Sequence, residues 1–266
     1  MCDRYDIKGW RVMNKAERLQ RIFEILLAEG NASTKYLAEA LGVSEITIRR
    51  DINNLCSDAN SPIKKVHGGV VYSLEKSGFE PMFDLKISQM AEEKKKIARM
   101  ALKLVENGDT IFLDSGTTVY YFAKMLRSKR GLRIVTVDVR IAESLAEQPQ
   151  IKTIVACGEV RPGYYSIGGA ETVEFLEAFR TDKAFIAADA WNLDGVFNSS
   201  NFEVAVKRKM IELARSSYLL VDHTKFNKNA FIRVSDIDVF KAIITDQPLP
   251  SDISNKLSKR GITVMF

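Results

Sequence analysis

The chain has 266 residues, 46% of them hydrophobic, and a formal net charge of +5. That length and apolar content suit two domains with real cores and exclude a disordered chain. No apolar run nears the ~20 residues of a bilayer span, the charged N terminus has no secretion-signal core, and Cys2, Cys56, Cys157, His67 and His223 are too scattered for a disulfide framework or a zinc site. A cytoplasmic protein without metal or cofactor is expected.

In chain order, KAERLQRIFEILLAEG places Leu19, Ile22, Phe23, Leu26 and Leu27 on one helical face and closes at Gly30. STKYLAEALG predicts a second helix, capped at Ser33 or Thr34 and ended by Gly42. A third begins at Ser44 and runs through EITIRRDINNL. Two short β-like runs then flank Lys64, Lys65 and His67, with Gly68 and Gly69 at the turn. Helix, helix, turn, helix, hairpin is the order of a winged helix-turn-helix, over 14–72. Residues 73–90, with Gly78 and Pro81, read as a linker with some helix returning at its end.

From residue 91 to 266, short apolar strands alternate with amphipathic helices. The strands are TIFLD, LRIVTV, IKTIVA, AFIAAD, YLLVD, KAIITD and ITVMF, and FEVAVKRKMIELARS is one of the helices. This pattern predicts an α/β domain with a mostly parallel sheet covered on both faces.

On the third helix, Ile48, Ile52 and Leu55 form the inward stripe. Arg50 points away from it, Thr47, Asn53 and Asn54 flank that outward side, Arg49 sits on a shoulder, and Glu45 lies near the start. Arginine forks onto guanine or clamps phosphate, and asparagine pairs with adenine. Ile46 also faces outward, toward a thymine methyl or a neighbouring helix. Acids and bases are about equal from Asn14 to Val70, so local arrangement rather than bulk charge carries the DNA reading.

In the second domain, TIFLD ends at Asp114, and Ser115, Gly116, Thr117 and Thr118 open the next helix. Free N–H groups and a helix dipole at a sheet's carboxyl edge suit an anion, although a plain strand-to-helix turn has the same local sequence. Thr136, Asp138, Asp189, Glu203, Asp222, Thr224 and Lys225 fall at corresponding strand and helix ends, with Lys207 one turn on from Glu203. Gly168 to Glu171 allow close backbone approach, and His223 reads as structural.

LAEALGVSEITIRRDINNL…KKVHGGVV resembles the signature of the DeoR family of bacterial regulators, S-x-x-T-I-R-R-D on the recognition helix with a V-H-G-G wing. The resemblance implies DNA contacts from Ser44, Thr47, Arg49 and Arg50, with Lys65 and His67 in or beside the wing. EKKKIARMALKLVENGDTIFLDSGTT, FEVAVKRKMIELA and VDHTKF are similar to that family's effector domain, which is related to sugar-phosphate isomerases and coenzyme A transferases. By that likeness Asp114 to Thr118 match an anion loop, Thr136 the next strand end, and Asp222 and Lys225 a late D-x-x-K-F motif. Two departures stand out: Thr136-Val137-Asp138 replaces the usual T-N-S, and Ala190-Trp191-Asn192 stands where a Gly-containing segment is common. A sugar acid or polyol derivative is therefore as admissible as a hexose phosphate.

The expected function is a repressor of carbohydrate or sugar-acid genes, acting as a dimer or tetramer on operator DNA and answering a small-molecule effector. The alternative is a sugar-phosphate isomerase or deaminase with Asp189, Glu203 and Lys225 as acid/base groups. A non-specific nucleic-acid protein fits less well, because the Arg-Asn face is distinct.

Overall fold

The computed structural model describes residues 13–29, 31–56, 63–66, 68–72 and 83–266. The chain divides into two compact units, 1–85 and 86–266. Gly30, His67 and most of the expected linker lie outside the described residues.

The first unit contains α1 (Lys15–Glu29), β1 (Asn31–Ser33), α2 (Thr34–Leu41), α3 (Glu45–Leu55), β2 (Ile63–Val66) and β3 (Gly69–Tyr72). A reciprocal capping box starts α1: Asn14 Oδ1 accepts the Glu17 N–H, and the Glu17 carboxylate accepts the Asn14 N–H, both at 3.0 Å. Ser33 caps α2, and Gly42 ends it in the left-handed region at φ 64°. Ile22, Phe23, Leu26, Leu37, Ile48, Ile52, Leu55 and Val70 close the core beneath the three helices.

Sequence periodicity does not reveal β1, which is only three residues long. It pairs antiparallel with β3, giving the sheet order β1-β3-β2. The wing turn is held by backbone: Thr34 donates both its N–H and its hydroxyl to the Gly68 carbonyl, each at 2.9 Å. A Cβ on Gly69 would lie 2.5 Å from the Ala32 carbonyl oxygen, so close strand pairing requires glycine there.

A short helix, α4 (Phe83–Lys86), spans the boundary between the units. The second unit continues with α5 (Ala91–Leu102), β4 (Thr110–Leu113), α6 (Thr117–Met125), β5 (Leu132–Thr136), α7 (Val139–Ala146), β6 (Ile151–Val155), β7 (Glu159–Val160), β8 (Ile167–Gly168) and α8 (Ala170–Glu177). It is completed by β9 (Thr181–Ala187), β10 (Ala190–Asn192), β11 (Gly195–Asn198), α9 (Val204–Leu213), β12 (Ala214–Leu220), β13 (Ile232–Ser235), β14 (Phe240–Ile244), α10 (Ser251–Lys259) and β15 (Thr263–Met265).

Seven parallel strands form the main sheet in the order β15-β14-β12-β9-β4-β5-β6. Its residues alternate between two cores. Phe112, Ala184, Ile186, Leu219 and Ile243 pack with Leu176, Met210 and Leu257 of α8, α9 and α10. Ile111, Leu113, Ile134, Phe185 and Leu220 pack with Ile97, Val119, Phe122 and Ile141 of α5, α6 and α7. The expected two-sided parallel sheet is what the chain forms.

The chain steps from β4 outward to β5 and β6, then returns so that β9 lies against β4, and continues the other way. The direction of travel therefore reverses between β4 and β9, and the carboxyl edge at such a reversal is the usual ligand position in open parallel sheets.

One helix is shorter than its periodicity suggests. FEVAVKRKMIELARS reads as helix through Ser216, but α9 stops at Leu213 and Ala214 already pairs with Thr181 of β9. Strand pairing wins over local helical pattern there. The antiparallel sheet β10-β11-β13 and helix α8 also go unannounced, the latter because Gly168-Gly169 reads as loop.

Asp51, in the R-R-D triplet of α3, points inward. Its carboxylate accepts from Arg18 of α1 at 2.8 Å and is nearly fully buried. Asp51→Ala leaves the half-buried Arg18 guanidinium without its carboxylate and is expected to destabilise the N-terminal unit by about 2 kcal/mol, measured by chemical denaturation of the full chain.

Candidate functional site

Two surfaces carry the candidate residues. On α3, the Ser44 Oγ accepts the Thr47 N–H at 3.2 Å and lies 3.0 Å from the Thr47 hydroxyl. These two predicted contacts thus first build the start of the helix. Glu45 and Arg49 pair across one turn at 3.2 Å on the exposed surface. Arg50 and Asn53 are exposed, and Arg50 makes no hydrogen bond or ion pair among the described residues. Lys64 and Lys65 are exposed on β2. His67 lies outside the described residues, so its placement is not assigned.

At the carboxyl edge of the sheet, Asp114 follows β4 and is fully buried. Its Oδ2 accepts the Ala187 N–H from β9 at 2.9 Å and an ion pair from Lys207 of α9, whose ammonium also donates to the Ala187 carbonyl at 3.1 Å. Burial opposes the charge on Lys207, but Asp114, Glu203 and Asp189 outweigh it and raise its pKa. Oδ1 of Asp114 is buried without a hydrogen-bond partner among the described residues.

Asp189, just past β9, pairs with Lys86 at 3.0 Å and accepts the Ser199 N–H at 2.9 Å. Burial works against its charge, yet Lys86, Lys225 and the Ser199 N–H hold it below the usual carboxylate range. Lys94 lies in the same cation cluster and donates to the Lys86 and Gln89 carbonyls. Its pKa falls to about 7, chiefly through burial, with Asp222 opposing and Lys86 and Lys225 reinforcing the shift.

Glu203 holds structure together. Its carboxylate accepts from Ser166 Oγ at 2.6 Å, Asn198 Nδ2 at 3.1 Å and Arg161 at 3.3 Å. Asp222 caps the turn at Thr224, and His223 pairs with Asp246 at 2.7 Å, a structural role.

Asp138 bridges two helix starts. Its Oδ1 accepts the Ile141 N–H of α7 at 3.0 Å, and its Oδ2 accepts the Gly116 N–H before α6 at 3.3 Å. Gly116 sits at φ 121°, a conformation open to glycine, and no side chain of its own caps α6. The amide cradle expected to take an anion is therefore already in contact with a carboxylate. Burial raises the Asp138 pKa to about 6, against hydrogen bonds from Ile141, Gly116, Ser115 and Arg140.

The structure thus joins Asp114, Asp189, Glu203 and Lys225 with Lys207, Lys86 and Lys94, and joins Asp138 with Ser115 and Gly116. Thr117 and Thr118 are buried in the first turn of α6. Thr136 is fully buried, and its hydroxyl donates to the Leu113 carbonyl at 3.0 Å. Trp191, expected near a pocket, is a core residue packed on Phe226 at 4.8 Å. Lys86 and Lys94 escape the sequence reading. Lys94 had a signal, since it stands three, four and seven positions before Ile97, Ala98 and Ala101 on the inward face of α5.

Residues 18–76 match the DeoR-like helix-turn-helix domain, and residues 89–247 match the DeoR C-terminal sensor domain. The chain is 35% identical over 251 residues to the glycerol-3-phosphate regulon repressor of Escherichia coli, covering 94% of this chain and 98% of that protein. It is 32% identical over 251 residues to the HTH-type transcriptional regulator IolR of Bacillus subtilis, with the same coverages of 94% and 98%. The chain belongs to the DeoR family of transcriptional regulators. A ribose 5-phosphate isomerase A from Neisseria gonorrhoeae is similar at 16% identity and a TM-score of 0.39, over 53% of this chain and 55% of that one. A likeness that distant says nothing about chemistry.

The Asp138 shift has a stability consequence. Its carboxyl titrates at about 6 in the folded chain against an ordinary 3.8, so the folded state holds the proton more tightly. Stability should fall as pH rises through that window, by on the order of 3 kcal/mol, and stay reduced above it. Asp138→Asn is expected to flatten this part of a denaturation profile measured across the same window.

Proposed function

We propose that the chain is a repressor of carbohydrate or sugar-acid genes, released from or driven onto its operator by a phosphorylated sugar or related acid. The observation that carries this reading is the outward face of α3, where Arg50 and Asn53 stand exposed above a closed core. Such a face matches base edges in a major groove, and Arg49, Lys64, Lys65 and His67 are proposed to hold phosphates beside it. Ser44 and Thr47 fix the helix start, and Glu45 restrains Arg49. The proposed DNA-binding domain is 14–72, joined by 73–90 to an effector domain over 91–266. The regulator is proposed to act in the cytoplasm as a homo-oligomer, because one recognition helix reads few base pairs.

The effector is proposed to bind at the carboxyl edge between β4 and β9, near Lys86 and Lys225 and beside the N–H groups of the Ser115–Thr118 turn that Asp138 does not take. One named relative is called a glycerol-3-phosphate regulon repressor, which supports a small phosphorylated polyol or sugar as the kind of ligand. Acid/base catalysis at this site is disfavoured. Asp189 is held below the usual carboxylate range by Lys86 and Lys225, which makes it a weak base. No enzymatic activity is proposed.

Fluorescence anisotropy on DNA from the region upstream of the chain's own gene, at fixed salt, tests this reading. Tight, competitor-resistant binding altered by one compound in a panel of sugar phosphates and sugar acids is expected. Arg50→Ala should weaken that binding by about 1–3 kcal/mol. Lys225→Met should leave DNA affinity intact and abolish the effector response; a response that persists removes Lys225 from the site.

A further inference from the structure

The outward stripe of α3 holds one residue that phosphate contacts do not explain. Ile46 is 70% exposed in the first turn, although a large β-branched side chain is a poor choice for a helix surface. It shares a stripe with Arg50 and Asn53, at i, i+4 and i+7. Glu45 and Arg49 are engaged with each other on the shoulder, so the stripe itself is the free face.

Two features give Ile46 a fixed position. The Ser44 side chain anchors the first turn through the Thr47 N–H, and β-branching leaves the side chain few rotamers. No described helix of the unit covers it, because so much of it meets solvent. Of the base edges in a major groove, the thymine C5-methyl is the apolar one.

We infer that Ile46 is a specificity-determining residue that packs against a thymine methyl in each operator half-site, beside the guanine forked by Arg50. The inference rests on the DNA-binding reading above. Four residues of helix rise about 6 Å, close to two base-pair steps, which places the thymine within about two base pairs of that guanine.

The test is selection of a site by the full chain from a randomised duplex library, followed by replacement of each thymine by uracil, which deletes the methyl group alone. At fixed salt, one replacement per half-site should weaken the wild-type chain roughly fourfold, the value of one buried methyl. Ile46→Ala should bind the thymine and uracil duplexes alike, with the denaturation midpoint of the wild type. Indifference of the wild type to every replacement overturns the inference while leaving DNA binding intact, and so does an Ile46→Ala variant that still discriminates. Failure to enrich any site overturns the DNA-binding reading itself.

Discussion

The second unit is organised around a buried ion pair. Asp114 and Lys207 meet where the chain reverses its direction of travel across the sheet, and each is almost completely removed from solvent. Such a pair seldom adds net stability over an apolar equivalent, but removing one partner is expensive. Its value here is geometric. Asp114 also receives the Ala187 N–H, so one carboxylate ties the ends of β4 and β9 to α9. Lys86 and Lys225 hold the charge on Asp189, and Asp189 with Asp114 and Glu203 holds the charge on Lys207.

The first unit uses a buried charge in a similar way. Three consecutive charged residues on α3 serve opposite sides of the helix. Arg49 and Arg50 are exposed, whereas Asp51 turns into the unit and receives Arg18. An aspartate facing the core fixes the rotation of α3 against α1, and that rotation decides which side chains face outward. The wing follows the same economy: its turn is held by the Thr34 N–H and hydroxyl on the Gly68 carbonyl, leaving Lys64 and Lys65 unconstrained by its anchoring.

Much of this was legible in the sequence. The caps at Ser33 and Ser44, the Gly42 stop and the alternation of apolar strands with amphipathic helices are local signals, and local physics produces them. Asp114 and the turn after it announced themselves by standing at the end of an apolar run. What stayed hidden depends on partners distant in sequence. Nothing near Ala214 shows that it must pair with Thr181, and nothing in a run of three lysines marks Lys94 except its phase on α5. Asp138 illustrates the limit: its position beside a helix start was readable, but its reach back to Gly116, across an intervening strand and helix, was not.

The separation of inward and outward roles on α3 bears on how such a regulator diverges. Ile46, Arg50 and Asn53 contribute little to the core, and surface substitutions of this kind usually change stability by no more than about 0.5 kcal/mol. On the proposed reading, operator preference is thereby free to drift while the scaffold stays folded. After gene duplication, two copies can part ways at three surface positions without passing through an unstable intermediate. Asp51 and Arg18 have no such freedom, so they anchor the frame within which the residues proposed to read DNA are exchanged.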